Sequence, residues 1–354
     1  MTEPIEISGR PIGPDHAPFV IAEISANHQG DLQRALELID AAHASGADAI
    51  KIQSYKPDTI TLDCDVEDFQ IRGGPWAGQT LFQLYKQAQT PFEWHAPIFE
   101  HASNIVATLF SSPFDASAID LLRSLNAPAY KIASFEAIDT PLIEYAAQSG
   151  KPLIISTGMA DLPEISDAVN AARRGGAKHL ALLHCISGYP TPADQSNLRT
   201  IPHLAETFDV VVGLSDHTLG DGVSVAAVAL GARIIEKHFT LSRADGGPDA
   251  EFSLEPDEFG NLVANCRDAF AALGRVTYDK AEAESGNLQF RRSLYAVKDI
   301  PEGQCFTAAN IRSIRPGHGM SPKTLPALLS GAKARVGIKR GTALQQHMID
   351  WHEG

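Results

Sequence analysis

Cysteine is scarce: four residues in 354, at Cys64, Cys185, Cys266 and Cys305, with no CxxC pair among them. That scatter argues against a disulfide framework and fits a reducing compartment. The cysteines are most simply core or surface residues. Long apolar runs are lacking too. None approaches the ~20 residues needed to cross a bilayer, so no membrane partner is expected. The opening residues Met-Thr-Glu-Pro-Ile-Glu have neither a basic flank nor an apolar core, so no secretory leader is expected and a cytoplasmic location is. Positive charge is the third deficit, with 29 Lys and Arg against 43 Asp and Glu and a formal charge of -14. A phosphate backbone needs a basic face, which argues against nucleic acid as the partner. A small anion needs only a few placed cations and stays open. The remainder, 44% hydrophobic and 20% charged, is globular, and the length suggests about two domains.

The chain is organised around Asp209–Asp216 and Ala232–Thr240. Each is a short apolar run ending in polar chemistry, Ser215-Asp216-His217-Thr218 and Glu236-Lys237-His238, with an Ala/Val-rich helical segment, Gly222–Gly231, between them. In a parallel sheet, strand ends on one side line one crevice, so His217 and His238 should face each other there.

The same beat runs back to the N-terminus. Phe19–Ser25 and Ala49–Gln53 read as strands around a helix that Asp31 N-caps and that runs through His43. A long insertion, Pro57–Thr90, follows, with a loop at Gly73–Trp76 and a short helix near Leu81–Tyr85. Further strands are predicted at Ile105–Phe110, Ala129–Ala133, Leu153–Thr157, His179–Cys185, Val210–Leu214 and Arg233–His238. Helical patterns lie at Ala116–Leu125, Thr140–Gln148, Leu162–Arg173, Leu198–Thr207, Gly222–Leu230 and Pro256–Leu273. Eight β/α units predict an α/β fold, a closed (β/α)₈ TIM barrel, rather than an open sheet. The predicted domains are a barrel over residues 1–276, a charged linker over 277–290 and a small β-rich unit over 291–354. A unit that small buries only about 60% of its unfolded surface and is expected to lean on something else.

Side chains two apart on a strand share a face. With Glu236 and His238 inward and Lys237 outward, the barrel mouth collects Glu23, Lys51, Gln53, Lys131, Ser134, Ser156, Ser215, His217, Glu236 and His238. Solvated strand ends would give charges of no pattern. Singly, His217 reads as a turn residue and His238 as a satisfied core histidine; on neighbouring strand ends they read as imidazole metal ligands. Two histidines with oxygen donors and water suit Mn²⁺ or Mg²⁺, with Co²⁺ a third candidate, better than a closed zinc site. Lys51 and Lys131, buried without nearby paired carboxylates, would each need an anion. The hydroxyls of Thr108, Ser134, Ser156 and Ser215 supply donors that suit phosphate. A Schiff base at Lys51, or an ion pair from it to Glu23 or Glu236, are the alternatives. Gly246-Gly247-Pro248-Asp249 reads either as a mobile loop carrying Asp249 to the site or as a plain turn.

These residues, in this order, resemble the sialic acid synthase family. The matching motifs run from Ala22-Glu23-Ile24 and Asn27-His28 through Lys51-Ile52-Gln53, Phe110–Asp115, Tyr130–Ser134 and Ser156–Met159. They continue through Tyr189-Pro190-Thr191-Pro192, Gly213–Thr218 and Glu236–Thr240. Arg292-Ser293-Leu294 and Ile314-Arg315-Pro316-Gly317 resemble the family's antifreeze-like (SAF) domain. The Ser25–His28 turn, Ser187, Pro91–His95 and Phe252–Pro256 look most like the branch that forms pseudaminic acid.

The resemblance implies an enzyme that condenses phosphoenolpyruvate with an open-chain amino-sugar aldehyde, here a diacetamido-trideoxy-altrose. It implies catalysis by Glu23 and Glu236 with a divalent ion on His217 and His238. Phosphoenolpyruvate would be held by Lys51, Thr108, Lys131, Ser134, Ser156 and Ser215. The sugar would be held by Gln53, Ser187, Tyr189, Asp249 and Arg315, and Arg315 would reach the neighbour in a domain-swapped homodimer. N-acetylneuraminate or legionaminate synthesis with another sugar is the nearest alternative. A metal-dependent barrel aldolase or isomerase would need no phosphoenolpyruvate. A non-catalytic carbohydrate- or ice-binding protein fits poorly with two lysines, two glutamates and two histidines at one mouth.

Overall fold

The computed structural model describes residues 2–73 and 76–351. Gly74 and Pro75, the centre of the expected Gly73–Trp76 loop, lie outside them. The chain divides into two compact units, Met1–Gly274 and Arg275–Gly354.

The first unit opens with a hairpin of β1 (Ile5–Ile7) and β2 (Arg10–Ile12). Then come β3 (Phe19–Glu23), β4 (Ala49–Ser54), β5 (Leu109–Pro113), β6 (Tyr130–Ile132), β7 (Leu153–Ser156), β8 (Leu180–Cys185), β9 (Val211–Asp216) and β10 (Ile234–His238). These eight strands are all parallel and close into a barrel, β10 pairing with β3. Being covered on both faces, they read as nearly unbroken apolar runs rather than alternating ones.

The connecting helices are α1 (Leu32–Ala44), α2 (Pro57–Ile60), α3 (Leu81–Ala88), α4 (Phe92–Asn104), α5 (Ala116–Ser124), α6 (Thr140–Ala147), α7 (Leu162–Arg174), α8 (Thr200–Phe208), α9 (Gly222–Ala229) and α10 (Pro256–Leu273). Asp31, Asp115, Asp139 and Asp161 N-cap α1, α5, α6 and α7, each carboxylate accepting from a backbone N–H of the first turn.

Two features depart from the sequence reading. The apolar run Ile105–Phe110 is not one strand. Helix α4, which the sequence reading did not assign, ends at Asn104 and its C-cap is Ile105. The chain then reverses through Val106, at φ 61°, before β5 begins at Leu109. The functional end of β5 is therefore Ser111-Ser112-Pro113. The hairpin was also unassigned. Its Ile5, Ile7 and Ile12 join Phe19, Phe110, Ile154, Val211 and Ile234 in one cluster, which closes the barrel at its N-terminal end. Only the C-terminal mouth is left for chemistry.

The second unit has its own core, including Leu294, Ile300, Phe306, Ile311, Leu328 and Ile349. Strand β11 (Ser293–Ala296) pairs antiparallel with β12 (Ile311–Ile314), and β13 (Lys333–Ala334) with β14 (Ile349–Asp350); α11 (Leu325–Leu329) lies between the pairs in sequence. Its first part, Glu282–Phe290, is a 3₁₀ segment with no buried residue.

Candidate active site

Parallel register sets the depth of each side chain in the mouth. Glu23 pairs with Lys51, Lys51 with Phe110, Gln53 with Ser112, and Glu236 with Ser215. Glu23, Lys51, Lys131 and Glu236 come from four strands and are all within 5% of full burial. Lys51 Nζ lies 2.5 Å from Glu23 Oε2 and 3.5 Å from Glu236 Oε1, and Lys131 Nζ lies 3.6 Å from Glu236 Oε2. The lysines thus have carboxylates beside them. For Lys51 the alternative of an ion pair to Glu23 or Glu236 is what is found, and Lys131 pairs with Glu236, which the sequence reading did not foresee. The four groups form one charge-balanced chain.

Each member titrates differently. Burial pushes the Glu23 carboxyl up, and the charge of Glu236 adds to this against the pull of Lys51. For Glu236, burial pulls the same way but Lys131 and Lys51 outweigh it, holding it below the ordinary carboxylate value. Burial lowers Lys131. For Lys51, burial is more than offset by Glu23 and Glu236, and its pKa stands above the usual one.

Around this chain the hydroxyls converge. Lys51 Nζ donates to Ser112 Oγ at 3.1 Å, and Gln53 Nε2 donates to Glu23 Oε1 (3.1 Å) and Ser25 Oγ (2.9 Å). Ser215 Oγ reaches Glu236 Oε1 at 3.5 Å. Ser156 Oγ, at the end of β7, is buried without a partner. The next turn carries Gly158, whose N–H donates to Ser134 Oγ at 3.2 Å. A Cβ there would fall 2.3 Å from Ser187 Oγ and 2.7 Å from Ser134 Oγ, so only glycine leaves this cradle open.

The two histidines meet as expected, with ring centroids 5.4 Å apart. His217 Nδ1 lies 3.0 Å from the Ile186 carbonyl, a contact that an Nδ1–H makes. Burial lowers its pKa, but Cys185, the Ile186 carbonyl and Glu236 more than offset that and hold it above the usual imidazole value, so Nε2 is a cation ligand once its proton is displaced. Burial, together with the positive charges nearby, keeps His238 well below the usual imidazole pKa, and its Nδ1 is buried without a partner. A neutral, unpartnered imidazole facing a second one fits a divalent cation. No cluster of three or more His, Cys, Asp or Glu converges among the described residues, so water or substrate would supply the other ligands.

Tyr189 packs on His217 with centroids 4.4 Å apart and on Phe252 at 5.2 Å, and Trp76 lies beyond it at 6.2 Å. Trp76 Nε1 donates to the Pro248 carbonyl, so the long insertion meets the loop after β10. That loop brings Asp249 Oδ2 to within 3.4 Å of the Ala26 amide.

One expected residue stands elsewhere, and Arg315 belongs to the second unit. Thr108 precedes the first residue of β5 and lines a groove with Ser8, Phe99 and Val106 at the opposite end of the barrel. The shifted strand puts Ser112 in the place expected of it. Arg315 follows β12 in the second unit, exposed, in a turn that Ser293 fastens by donating to the Pro316 carbonyl and accepting from the Gly319 amide.

Three residues were missed. Ser112 was hidden by the strand shift. Cys185, read as a core or surface residue, is buried 3.8 Å from His217 Nδ1. Glu136 sits in the 3₁₀ turn Ser134–Glu136 after β6, with Oε2 buried and unpartnered. Burial pushes its carboxyl up to about 7. A short 3₁₀ turn has no periodicity from which to foresee it.

A closed (β/α)₈ barrel with paired charges, unsatisfied hydroxyls and two free imidazole nitrogens at its C-terminal mouth is the framework of an enzyme acting on a small anionic substrate. The particular lineage follows from comparison with known proteins. The NeuB family model matches residues 38–278 and the SAF domain model residues 291–350, and the chain belongs to the NeuB family. It is 47% identical over 94% of its length to pseudaminic acid synthase of Campylobacter jejuni, covering 96% of that protein. It is 41% identical to pseudaminic acid synthase of Helicobacter pylori, over 94% of this chain and 98% of that one. Among solved structures, N-acetylneuraminic acid synthetase of Leptospira borgpetersenii superposes with a TM-score of 0.72 at 32% identity, over 82% of this chain and 97% of that one.

Proposed function

We infer that the protein condenses phosphoenolpyruvate with 2,4-diacetamido-2,4,6-trideoxy-L-altrose and water, giving pseudaminic acid and phosphate. The observation that carries the reaction type is the buried chain Glu23–Lys51–Glu236–Lys131 beside two facing imidazoles. Likeness to the two pseudaminic acid synthases carries the choice of sugar.

Lys51 and Lys131, with Ser112, Ser134, Ser156 and Ser215, hold the phosphate and carboxylate of phosphoenolpyruvate. Gln53, Ser187, Tyr189 and Asp249 orient the sugar so that its aldehyde carbon faces carbon three of phosphoenolpyruvate. His217 and His238 would hold a divalent cation, which when bound supplies Lewis-acid polarisation of the aldehyde. As the carbon–carbon bond forms, positive charge develops at carbon two. Glu236, kept ionised by two lysines, is suited to stabilise it. Glu23, whose carboxyl is pushed up by burial, is suited to carry the proton exchanged with the aldehyde oxygen or the adding water. Phosphate then leaves carbon two.

A panel of sugar aldehydes with phosphoenolpyruvate held constant tests this reading, with phosphate release as the readout. The altrose derivative should be used best and N-acetylmannosamine poorly. Preference for N-acetylmannosamine or a legionaminate precursor overturns the choice of sugar. Turnover without phosphate release overturns the reaction itself and leaves an aldolase.

We also propose that Arg315 completes the sugar site of the neighbouring subunit in a domain-swapped homodimer. His217→Ala and Arg315→Ala are each expected to be inactive. After subunit exchange, each mixed dimer would hold one doubly broken site and one intact site, restoring about a quarter of wild-type activity under random pairing. No recovery would place Arg315 in its own subunit's site.

A further inference from the structure

Asp216 and Lys237 have no part in the mechanism above, yet each is the immediate neighbour of a facing histidine. Their side chains point out of the barrel, into the layer between strands and helices, and are 1% and 0% exposed. Lys237 Nζ donates to Asp216 Oδ2 at 2.9 Å and to the Thr218 carbonyl. Asp216 Oδ1 accepts from both the amide and the hydroxyl of Thr218, each at 2.8 Å. Ser224 of α9 donates to Asp216 Oδ2 at 2.6 Å. The Asp216 carboxylate thus closes a tight turn over His217, and Lys237 straps that turn to the residue before His238.

An ion pair this deep is poor support for stability. Its desolvation offsets its attraction, and apolar replacements of such pairs are often neutral. What the pair does fix is geometry. On the inner face the two strand ends are linked only by the long Ser215–Glu236 contact at 3.5 Å, whereas on the outer face they are tied by short bonds, one residue from each imidazole. Neighbouring Cα atoms are about 3.8 Å apart, so a shift of either tethered residue is passed to its histidine almost undiminished.

We propose that Asp216 and Lys237, with Ser224 and Thr218, are positioning residues that set the spacing of His217 and His238 for a divalent cation. The proposal rests on the reading of those histidines as cation ligands. It assigns to the outer face of β9 and β10 the part that outer-shell hydrogen bonds play at other metal sites.

The test is Mn²⁺ titration of the full-length protein, followed by the paramagnetic resonance of free Mn²⁺, with thermal melting in parallel. The variant is Lys237→Met with Asp216→Asn. It strands no buried charge and keeps an acceptor for Thr218, but cuts the strap. The expected result is a melting temperature near wild type with Mn²⁺ bound about tenfold more weakly. Wild-type affinity in the folded double variant overturns the proposal and leaves the pair as packing. If the double variant does not fold, Ser224→Ala decides instead, since it removes one bond to Asp216 and leaves both charges paired. About threefold weaker Mn²⁺ binding supports the proposal, and unchanged binding overturns it. If wild-type protein itself binds no Mn²⁺ while His217→Ala behaves identically, the ligand reading falls first and the strap falls with it.

Discussion

Strand β10 carries two buried ionic clusters back to back, Glu236 facing in and Lys237 facing out. The outer cluster is complete: both Asp216 oxygens and the Lys237 ammonium have close partners, at distances up to 2.9 Å. The inner cluster is not. Apart from the close Lys51–Glu23 contact, its ion pairs stand at 3.5–3.6 Å, and Glu236 Oε2, Ser156 Oγ and His238 Nδ1 are buried without hydrogen-bond partners. Unpaired buried polar groups are expensive and therefore rare, so a group of them at one barrel mouth marks a surface built for a ligand. The same sheet, the same depth and similar residues yield a scaffold on one face and a binding site on the other.

The contrast breaks most visibly at the lysines. Lys51→Ala and Lys131→Ala should each lower kcat/KM for phosphoenolpyruvate by about 10²–10³-fold, because a preorganised charged donor is lost. The stranded glutamate can take up a proton, so melting should change little. Lys237→Ala should do the reverse in stability, costing about 3–5 kcal/mol by leaving Asp216 buried and unpaired. Denaturant unfolding and steady-state kinetics on the three variants check both halves. A folded, fully active Lys51→Ala or a wild-type-stable Lys237→Ala would erase the distinction.

Ser156→Ala sharpens it at a smaller scale. Its hydroxyl bonds to nothing in the fold, so stability should stand. KM for phosphoenolpyruvate should rise roughly two- to tenfold, the worth of one hydrogen bond at about 0.5–1.5 kcal/mol. A lower melting temperature with unchanged KM would make Ser156 a scaffold residue.

A pH-dependent effect concerns Glu136. Its carboxyl titrates near 7 in the folded protein, above its ordinary value of 4.5, because burial disfavours the charge. A raised acid pKa gives stability that is fully present below the ordinary value and is lost as pH rises towards 7. Glu136→Gln cannot ionise, so its melting temperature relative to wild type should climb between pH 5 and pH 8. A pH-independent difference would mean that Glu136 ionises freely.

The barrel was legible in the sequence because parallel strands buried on both faces leave unbroken apolar runs between capped helices. Strands β3, β4, β9 and β10 could be placed to within two residues at either end on that signal. Where it failed, two elements abutted without a polar break. The apolar Ile105–Phe110 run hid a helix end and a reversal at Val106, and that displaced Thr108 and concealed Ser112. The inner charged residues were visible because they interrupt strands at period two. The outer strap was not: a lone Lys237 in an apolar strand says which way it points but not that Asp216 waits for it. Glu136 and Cys185 were beyond reach for a different reason, since their roles depend on neighbours from other strands.

The floor formed by Ile5, Ile7 and Ile12 has a kinetic meaning. A barrel plugged below is a well with one opening. The lysines and Ser156 are strand residues inside the well, whereas Tyr189 and Trp76 belong to the loops at its rim. If the lysines hold phosphoenolpyruvate, as proposed, it is expected to enter before the rim is filled. On the proposed function, the hairpin, far from any reacting atom, is expected to favour ordered binding with the deeper substrate first, which initial-rate kinetics with a dead-end inhibitor would check.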